Sequence, residues 1–250
     1  MPITELYTTE PPPIPAGVDL RVYSNPICPF AQRAHLILAV KKIPHEKVYI
    51  HLARKPVWYL GLNPRGQVPF IDHRGQRLPE SSLVFEYLDD VYDGVKVYGT
   101  DPMNKAAQKL FVQDFEKKFI GPFYSVPRGN NVEENIASMI TIINKMEELL
   151  KESSFLFGDK PLAADYLVWP HVERLPGIQM FCDKLQEAIT RDKFPVFYGW
   201  MDRMLADEAV KATSRTPQQH CDFMKLYSSG GEHVYDLDGK DYTIHARKEK

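Results

Sequence analysis

Ser24-Asn25-Pro26-Ile27-Cys28-Pro29-Phe30-Ala31-Gln32-Arg33 joins a short alternating run, Asp19 to Tyr23, to a long apolar-periodic run, Ala34 to Val40. Alternation suits a strand with Leu20 and Val22 on one face, and the second run has Ala34, Ile37 and Leu38 at helical spacing. Cys28 therefore falls where a strand hands over to a helix. Pro29 follows it, and proline suits a first helical position because the amide it lacks has no partner there. A thiol at a helix N-terminus faces unpaired N–H groups and the positive end of the helix dipole, which favour thiolate. Cys28 is thus a candidate nucleophile, the plain alternative being a buried, inert cysteine at a helix start.

Outward from that turn the chain reads as two parts. The helix is expected over 31–42, with Lys41 and Lys42 in a last turn where cations suit the dipole, and Pro44 stops it. Glu46 to Leu52 reads as a second strand, parallel to the first through a right-handed crossover. Lys55 to Leu62 is a short helical segment and Asn63-Pro64-Arg65-Gly66 a turn. Val68 to Asp72 and Gln76 to Leu78 are strands around a His73-Arg74-Gly75 hairpin. Ser81 to Tyr92 is a helix with Leu83, Val84, Tyr87, Leu88 and Val91 inward and Ser81 or Ser82 as cap. The order β-α-β-α-β-β-α is a thioredoxin-like pattern. Beyond the polar stretch Asp93 to Pro102 nothing looks like a strand. Helices are expected over 103–119, 132–151, 165–175, 184–189, 194–205 and 217–227. The fold class is thus an α/β thioredoxin-like N-terminal domain followed by an all-α C-terminal domain. The divisions are a proline-rich arm at 1–17, the first domain at 18–94, a linker at 95–102, the helical domain at 103–227 and a polar extension at 228–250.

Composition narrows the functional classes. The 250 residues are 44% apolar and carry a formal charge of −2, which gives no reason to expect a nucleic-acid partner. Cys28, Cys182 and Cys221 are the three cysteines. Their odd number and wide spacing suit a reducing compartment rather than a disulfide scaffold, and offer no metal-ligand pattern. No apolar stretch approaches the roughly 20 residues that span a bilayer. Residues 1–16, with Pro2, Pro11, Pro12, Pro13 and Pro15, lack the features of a secretion signal, so a cytoplasmic protein is expected.

With these pieces in hand the chain resembles the cytosolic glutathione transferases, and within them the omega class. Cys28-Pro29-Phe30 at the end of strand one and the proline-rich arm carry the likeness. So do Arg54-Lys55-Pro56-Val57-Trp58, the loop Asn63-Pro64-Arg65-Gly66-Gln67-Val68-Pro69, Pro79-Glu80-Ser81, and Asp165-Tyr166-Leu167-Val168-Trp169-Pro170. The resemblance implies glutathione as co-substrate, no metal, and a homodimer. It places Cys28 against the glutathione sulfur, with Phe30 in the same turn. Val68 would pair its backbone with the cysteinyl moiety, and Pro69 would be cis. Glu80 would meet the γ-glutamyl ammonium, the Ser81 N–H its carboxylate, and Lys55 the glycine carboxylate. Trp169, His220 and Tyr227 are placed at a substrate pocket, Trp169 serving equally well as core packing. Arg33 is expected to brace its helix by an ion pair.

Two departures stand out. Leu162 holds the place where a Ser or Thr usually completes a capping box with Asp165, which implies a cost of roughly 1 kcal/mol. His220 replaces an aromatic in the last helix. A cysteine that attacks sulfur implies thiol–disulfide exchange rather than conjugation. Ala31 stands where a CxxC would have its second cysteine, so the cycle implied is monothiol. Deglutathionylation, dehydroascorbate reduction and methylarsonate reduction are the implied activities. The alternative is a chloride-intracellular-channel-like membrane-associating or interaction protein, whose Cys-Pro-Phe-x-Gln-Arg turn is similar.

Overall fold

The computed structural model describes residues 11–230, so most of the arm and all of the expected polar extension beyond residue 230 lie outside the described residues. The described chain divides between Gly94 and Val95 into two compact units.

Unit one is a four-stranded sheet with helices. The strands β1 (Leu20–Ser24), β2 (Glu46–Tyr49), β3 (Phe70–His73) and β4 (Gln76–Pro79) lie in the order β2-β1-β3-β4. β1 pairs parallel with β2 and antiparallel with β3, which pairs antiparallel with β4. The helices are α1 (Pro29–Val40), α2 (Val57–Leu62) and α3 (Ser81–Val91). All five β1 residues are buried, as a strand central to a covered sheet requires. Arg21 is among them, its Nε 2.6 Å from Glu46 Oε2 and its other nitrogens donating to the carbonyls of Pro12 and Pro13. That pairing lets a charge stay inside.

Three expectations shift here. α1 begins at Pro29 and ends at Val40, earlier than expected, so Lys41 lies beyond the last turn. Its ammonium is buried, 3.0 Å from the buried Asp89 carboxylate of α3. The inward stripe of α3 is Val84, Phe85 and Leu88 with Asp89, while Leu83 and Val91 are exposed. The Lys41–Asp89 pair turns α3 to that face. Neither serine caps α3. Glu80 holds the cap position with no side-chain cap hydrogen bond, at φ 74°.

Unit two is helical: α4 (Pro102–Phe115), α5 (Gly121–Ser125), α6 (Val132–Glu152), α7 (Ala163–Glu173), α8 (Leu175–Gln179), α9 (Asp183–Ala188), α10 (Pro195–Ala206), α11 (Glu208–Thr213) and α12 (Pro217–Ser228). A π-helical turn, Glu116–Ile120, follows α4, so the expected single helix ends sooner. The stretch read as a polar linker is packed: Val97 and Tyr98 are buried, the Val97 carbonyl accepts from Ala163 N–H at 2.9 Å, and the Tyr98 carbonyl from Gln108 at 3.1 Å.

α7 is buried along its whole length. Its Asp165 accepts N–H bonds from Leu156 and Leu162, both at 3.0 Å, and from the Trp200 indole at 2.8 Å. Leu162 gives no side-chain cap in return, so half of the usual reciprocal box is present. Burial pushes the Asp165 carboxyl up to about 6, against the pull of those donors. α8 and α12 meet at Gly177, where an added Cβ would lie 2.7 Å from the Pro217 carbonyl oxygen. Only glycine permits that approach.

Candidate functional site

Cys28 is the N-cap residue of α1, in extended backbone, with Pro29 at the first helical position. Asn25 sets the turn that presents it. Its amide donates to the Ile50 carbonyl at 3.0 Å, its side-chain oxygen accepts from Ile27 N–H at 3.1 Å, and its own carbonyl accepts from Cys28 N–H at 3.2 Å. The Asn-Pro dipeptide is the sequence signal for such a turn, and the reading above missed it. Cys28 is half-buried. Its Sγ lies 3.9 Å from the Val68 carbonyl oxygen.

The loop opposite is held from below. Tyr59 O–H donates to the Gln67 carbonyl at 2.5 Å and the Asn63 amide to the same oxygen at 2.9 Å. Burial pushes the Tyr59 phenol well above the usual tyrosine range, so it stays a donor. Tyr59 packs with Tyr23, Trp58 and Phe70 in an aromatic floor under the turn. Val68–Pro69 is a cis peptide bond. Among the described residues neither the N–H nor the C=O of Val68 has a backbone partner, β3 starting only at Phe70. A pair of backbone groups without backbone partners, beside a thiol, is a template for an extended peptide.

Cys28, Phe30, Lys55, Val68, Pro69, Glu80 and Ser81 line one cleft of about 390 Å³, together with Leu52, Gly66 and Gln67. Gly66, at φ 59°, makes room for the lysine: an added Cβ there would lie 2.9 Å from Lys55 Cδ and 3.2 Å from its Nζ. Lys55 brings a cation and Glu80 an anion to this cleft, and Ser81 brings the start of α3. A zwitterionic peptide with a thiol, two carboxylates and an ammonium finds a chemical partner for each group. Glu80 is already ion-paired with Arg65 in the loop, a contact the sequence reading did not contain. Arg33, expected to brace its helix by an ion pair, reaches across to α3. Its Nη1 donates to Ser81 Oγ at 3.1 Å.

The three residues placed at a substrate pocket belong to unit two. Trp169 is fully buried and packs edge-on against Trp200. His220 is 1% exposed, with Nε2 3.8 Å from Glu173 Oε2. Burial, with the Arg174 charge, pushes the His220 imidazole down to about 4. Both rings face the interior of their unit. Tyr227 is half-buried among Tyr124 and Phe223, with the Arg128 guanidinium 4.7 Å over its ring. Cys182 is half-buried and Cys221 buried, both as free thiols. Among the described residues there is no cluster fit to hold a metal, and no helix is long and apolar enough to cross a membrane.

Comparison with known proteins agrees with this architecture. Residues 22–96 match the model of the glutathione S-transferase N-terminal domain, and residues 130–203 that of the glutathione S-transferase C-terminal domain. The chain is 36% identical over 235 residues to glutathione S-transferase omega-1 of Sus scrofa, covering 90% of this chain and 92% of that one. It is 34% identical over 238 residues to pyrimidodiazepine synthase of Drosophila melanogaster, covering 92% and 94%. Glutathione transferase Omega 2C from Trametes versicolor superposes with a TM-score of 0.74 at 24% identity, over 85% of this chain and 99% of that one.

Proposed function

The chain belongs to the omega-class glutathione transferases, and we propose that within that family it is a glutathione-dependent thioltransferase working through a mixed disulfide on Cys28. The observation that carries the reading is the thiol itself, at the N-terminus of α1 and 3.9 Å from a Val68 carbonyl that has no backbone partner among the described residues. A hydroxyl at that place donates a hydrogen bond to a glutathione thiolate, whereas a cysteine thiolate can attack sulfur.

The reaction balances in two exchanges. The Cys28 thiolate attacks the glutathione sulfur of a glutathionylated substrate, the Cys28–glutathione disulfide forms, and the substrate leaves as a thiolate. Attack of a second glutathione thiolate on that disulfide releases oxidised glutathione and returns Cys28 as a thiolate. Ala31 occupies the position of a resolving cysteine, so the second thiol comes from solution and the kinetics are ping-pong. The chain's own residues orient the tripeptide: Lys55 on the glycine carboxylate, the Val68 backbone on the cysteinyl part, Glu80 on the ammonium, and Ser81 on the γ-glutamyl carboxylate. Pro69 and Phe30 shape the wall beside them. Dehydroascorbate and methylarsonate are further acceptors to assay, and a homodimer is the assembly to measure by light scattering. The test is glutathione-dependent reduction of hydroxyethyl disulfide, with parallel initial-velocity lines expected. Intersecting lines would contradict the covalent intermediate.

A further inference from the structure

Arg33 sits one turn into α1 from Cys28, yet its side chain reaches Ser81 of α3, behind the cleft lining. It is 1% exposed. Its guanidinium lies over the Phe30 ring at 5.3 Å, a face that attracts cations and holds their plane. From there Nη1 reaches Ser81 Oγ at 3.1 Å. Ser81 is 8% exposed, is the first residue of α3 and lines the cleft.

We infer that Arg33 is a positioning residue for the γ-glutamyl α-carboxylate, acting through the Ser81 hydroxyl. This rests on the glutathione reading above. A serine hydroxyl has one proton to donate and two lone pairs to accept with, whereas a guanidinium only donates. With Arg33 on one lone pair, the Ser81 proton is directed elsewhere, and the open direction is the cleft. Ser81 thereby becomes a donor toward an anion rather than an acceptor toward the ammonium. The guanidinium keeps its charge at every working pH, so the orientation does not switch. Its charge in the dry wall also adds attraction for a carboxylate that it does not touch. Glu80 lies next in the chain with its carboxylate turned to Arg65. The two acidic and basic ends of the γ-glutamyl group are therefore sorted by adjacent residues: Glu80 for the ammonium, Ser81 with Arg33 behind it for the carboxylate. Because Cys28 caps α1 and Arg33 lies within it, the same helix fixes the sulfur end and the γ-glutamyl end.

The test is equilibrium binding of three thiols to the full chain: glutathione, γ-aminobutyryl-cysteinyl-glycine, which lacks the α-carboxylate, and glutaryl-cysteinyl-glycine, which lacks the ammonium. Wild type is expected to prefer glutathione over the first analogue by about tenfold or more, the usual worth of a hydrogen bond to a charged group. Arg33→Met should remove most of that preference while leaving the preference over the ammonium-free analogue unchanged, and Arg33→Lys should restore part of it. A merely structural role for Arg33 would weaken all three ligands together. Arg33→Met with the wild-type preference intact, or an equal loss for both analogues, overturns the inference. If Arg33→Met does not fold, Arg33→Gln takes its place: selective loss of the carboxylate preference supports the inference and its full retention overturns it. Failure of wild type to bind glutathione at all overturns the glutathione reading and this inference together, whereas binding without the Arg33 effect overturns the inference alone.

Discussion

Replacing His220 by glutamine is expected to reverse the direction in which stability changes between about pH 7 and pH 5. The imidazole is buried against Glu173, with Arg174 and Arg215 as the cationic neighbours that hold it neutral. Its folded value is about 4 against 6.5 for the ordinary side chain. As pH falls through 6.5 the unfolded chain takes up a proton that the folded chain refuses. Stability is then lost on acidification, by about 2 kcal/mol between pH 7 and pH 5. Asp165 works the other way. Its folded carboxyl lies at about 6 against an ordinary 3.8, so in this window the folded chain binds the proton and the unfolded chain does not. That adds stability on acidification, by about 1 kcal/mol. Wild type should therefore lose about 1 kcal/mol from the pair, while His220→Gln should gain about 1 kcal/mol from Asp165 alone. The glutamine also carries a pH-independent cost, which offsets the curve without tilting it. Urea unfolding followed by circular dichroism at pH 7, 6 and 5 gives the two slopes. Parallel curves for wild type and variant would refute the assignment of a buried neutral imidazole.

The cleft and the packing give three further expectations. Gly66→Ala places a methyl against the Lys55 side chain at a positive φ. The KM for glutathione should rise several-fold with kcat little changed, and an unchanged KM would show that Lys55 is not held by that glycine. Glu80→Gly relieves a backbone at φ 74° that costs of order 1 kcal/mol for a residue with a Cβ. Thermal stability should be held or raised while glutathione binding weakens, and a fall in both would contradict that reading of the strain. Gly177→Ala drives a methyl into the Pro217 carbonyl and Cys221 amide of α12. A loss of about 1 to 3 kcal/mol is expected from overpacking against backbone, read as a lower urea midpoint. A neutral result would mean that α12 yields at no cost.

What the sequence made legible were features written in neighbouring residues. Cys28-Pro29 marks a helix start because proline at the first position and a cap residue before it are both local, and α1 does begin there. The β-α-β-α-β-β-α order followed from periodicity and turn residues, and the residues drawn from the Cys-Pro-Phe, Lys55, Val68-Pro69 and Glu80-Ser81 stretches do line one cleft. What escaped was set by partners distant in sequence. Lys41 read as a dipole cation and is buried on Asp89, 48 positions away. Val97 and Tyr98 sat in a polar-looking stretch, and hydrogen bonds from α7 and α4 bury them. Arg33 was one charge on a helix until α3 brought Ser81 beside it. α11 was missed although Asp207 caps it, accepting from Ala209 and Val210 N–H. Six residues are too few for periodicity to register. Trp169 and His220 were assigned by likeness to a pocket, and their burial is a property of how α7 and α12 pack.

The central claim is that sulfur exchange runs through Cys28. Its most direct test is the reduction of hydroxyethyl disulfide by glutathione, measured beside conjugation of chlorodinitrobenzene, on wild type and Cys28→Ala. Wild type should reduce the disulfide and conjugate weakly, and the variant should lose reduction while still binding glutathione. Mass spectrometry of wild type after mixing with oxidised glutathione should show one added glutathione, on Cys28. Undiminished disulfide reduction in Cys28→Ala, or no reduction by a folded wild type that binds glutathione, would contradict the account.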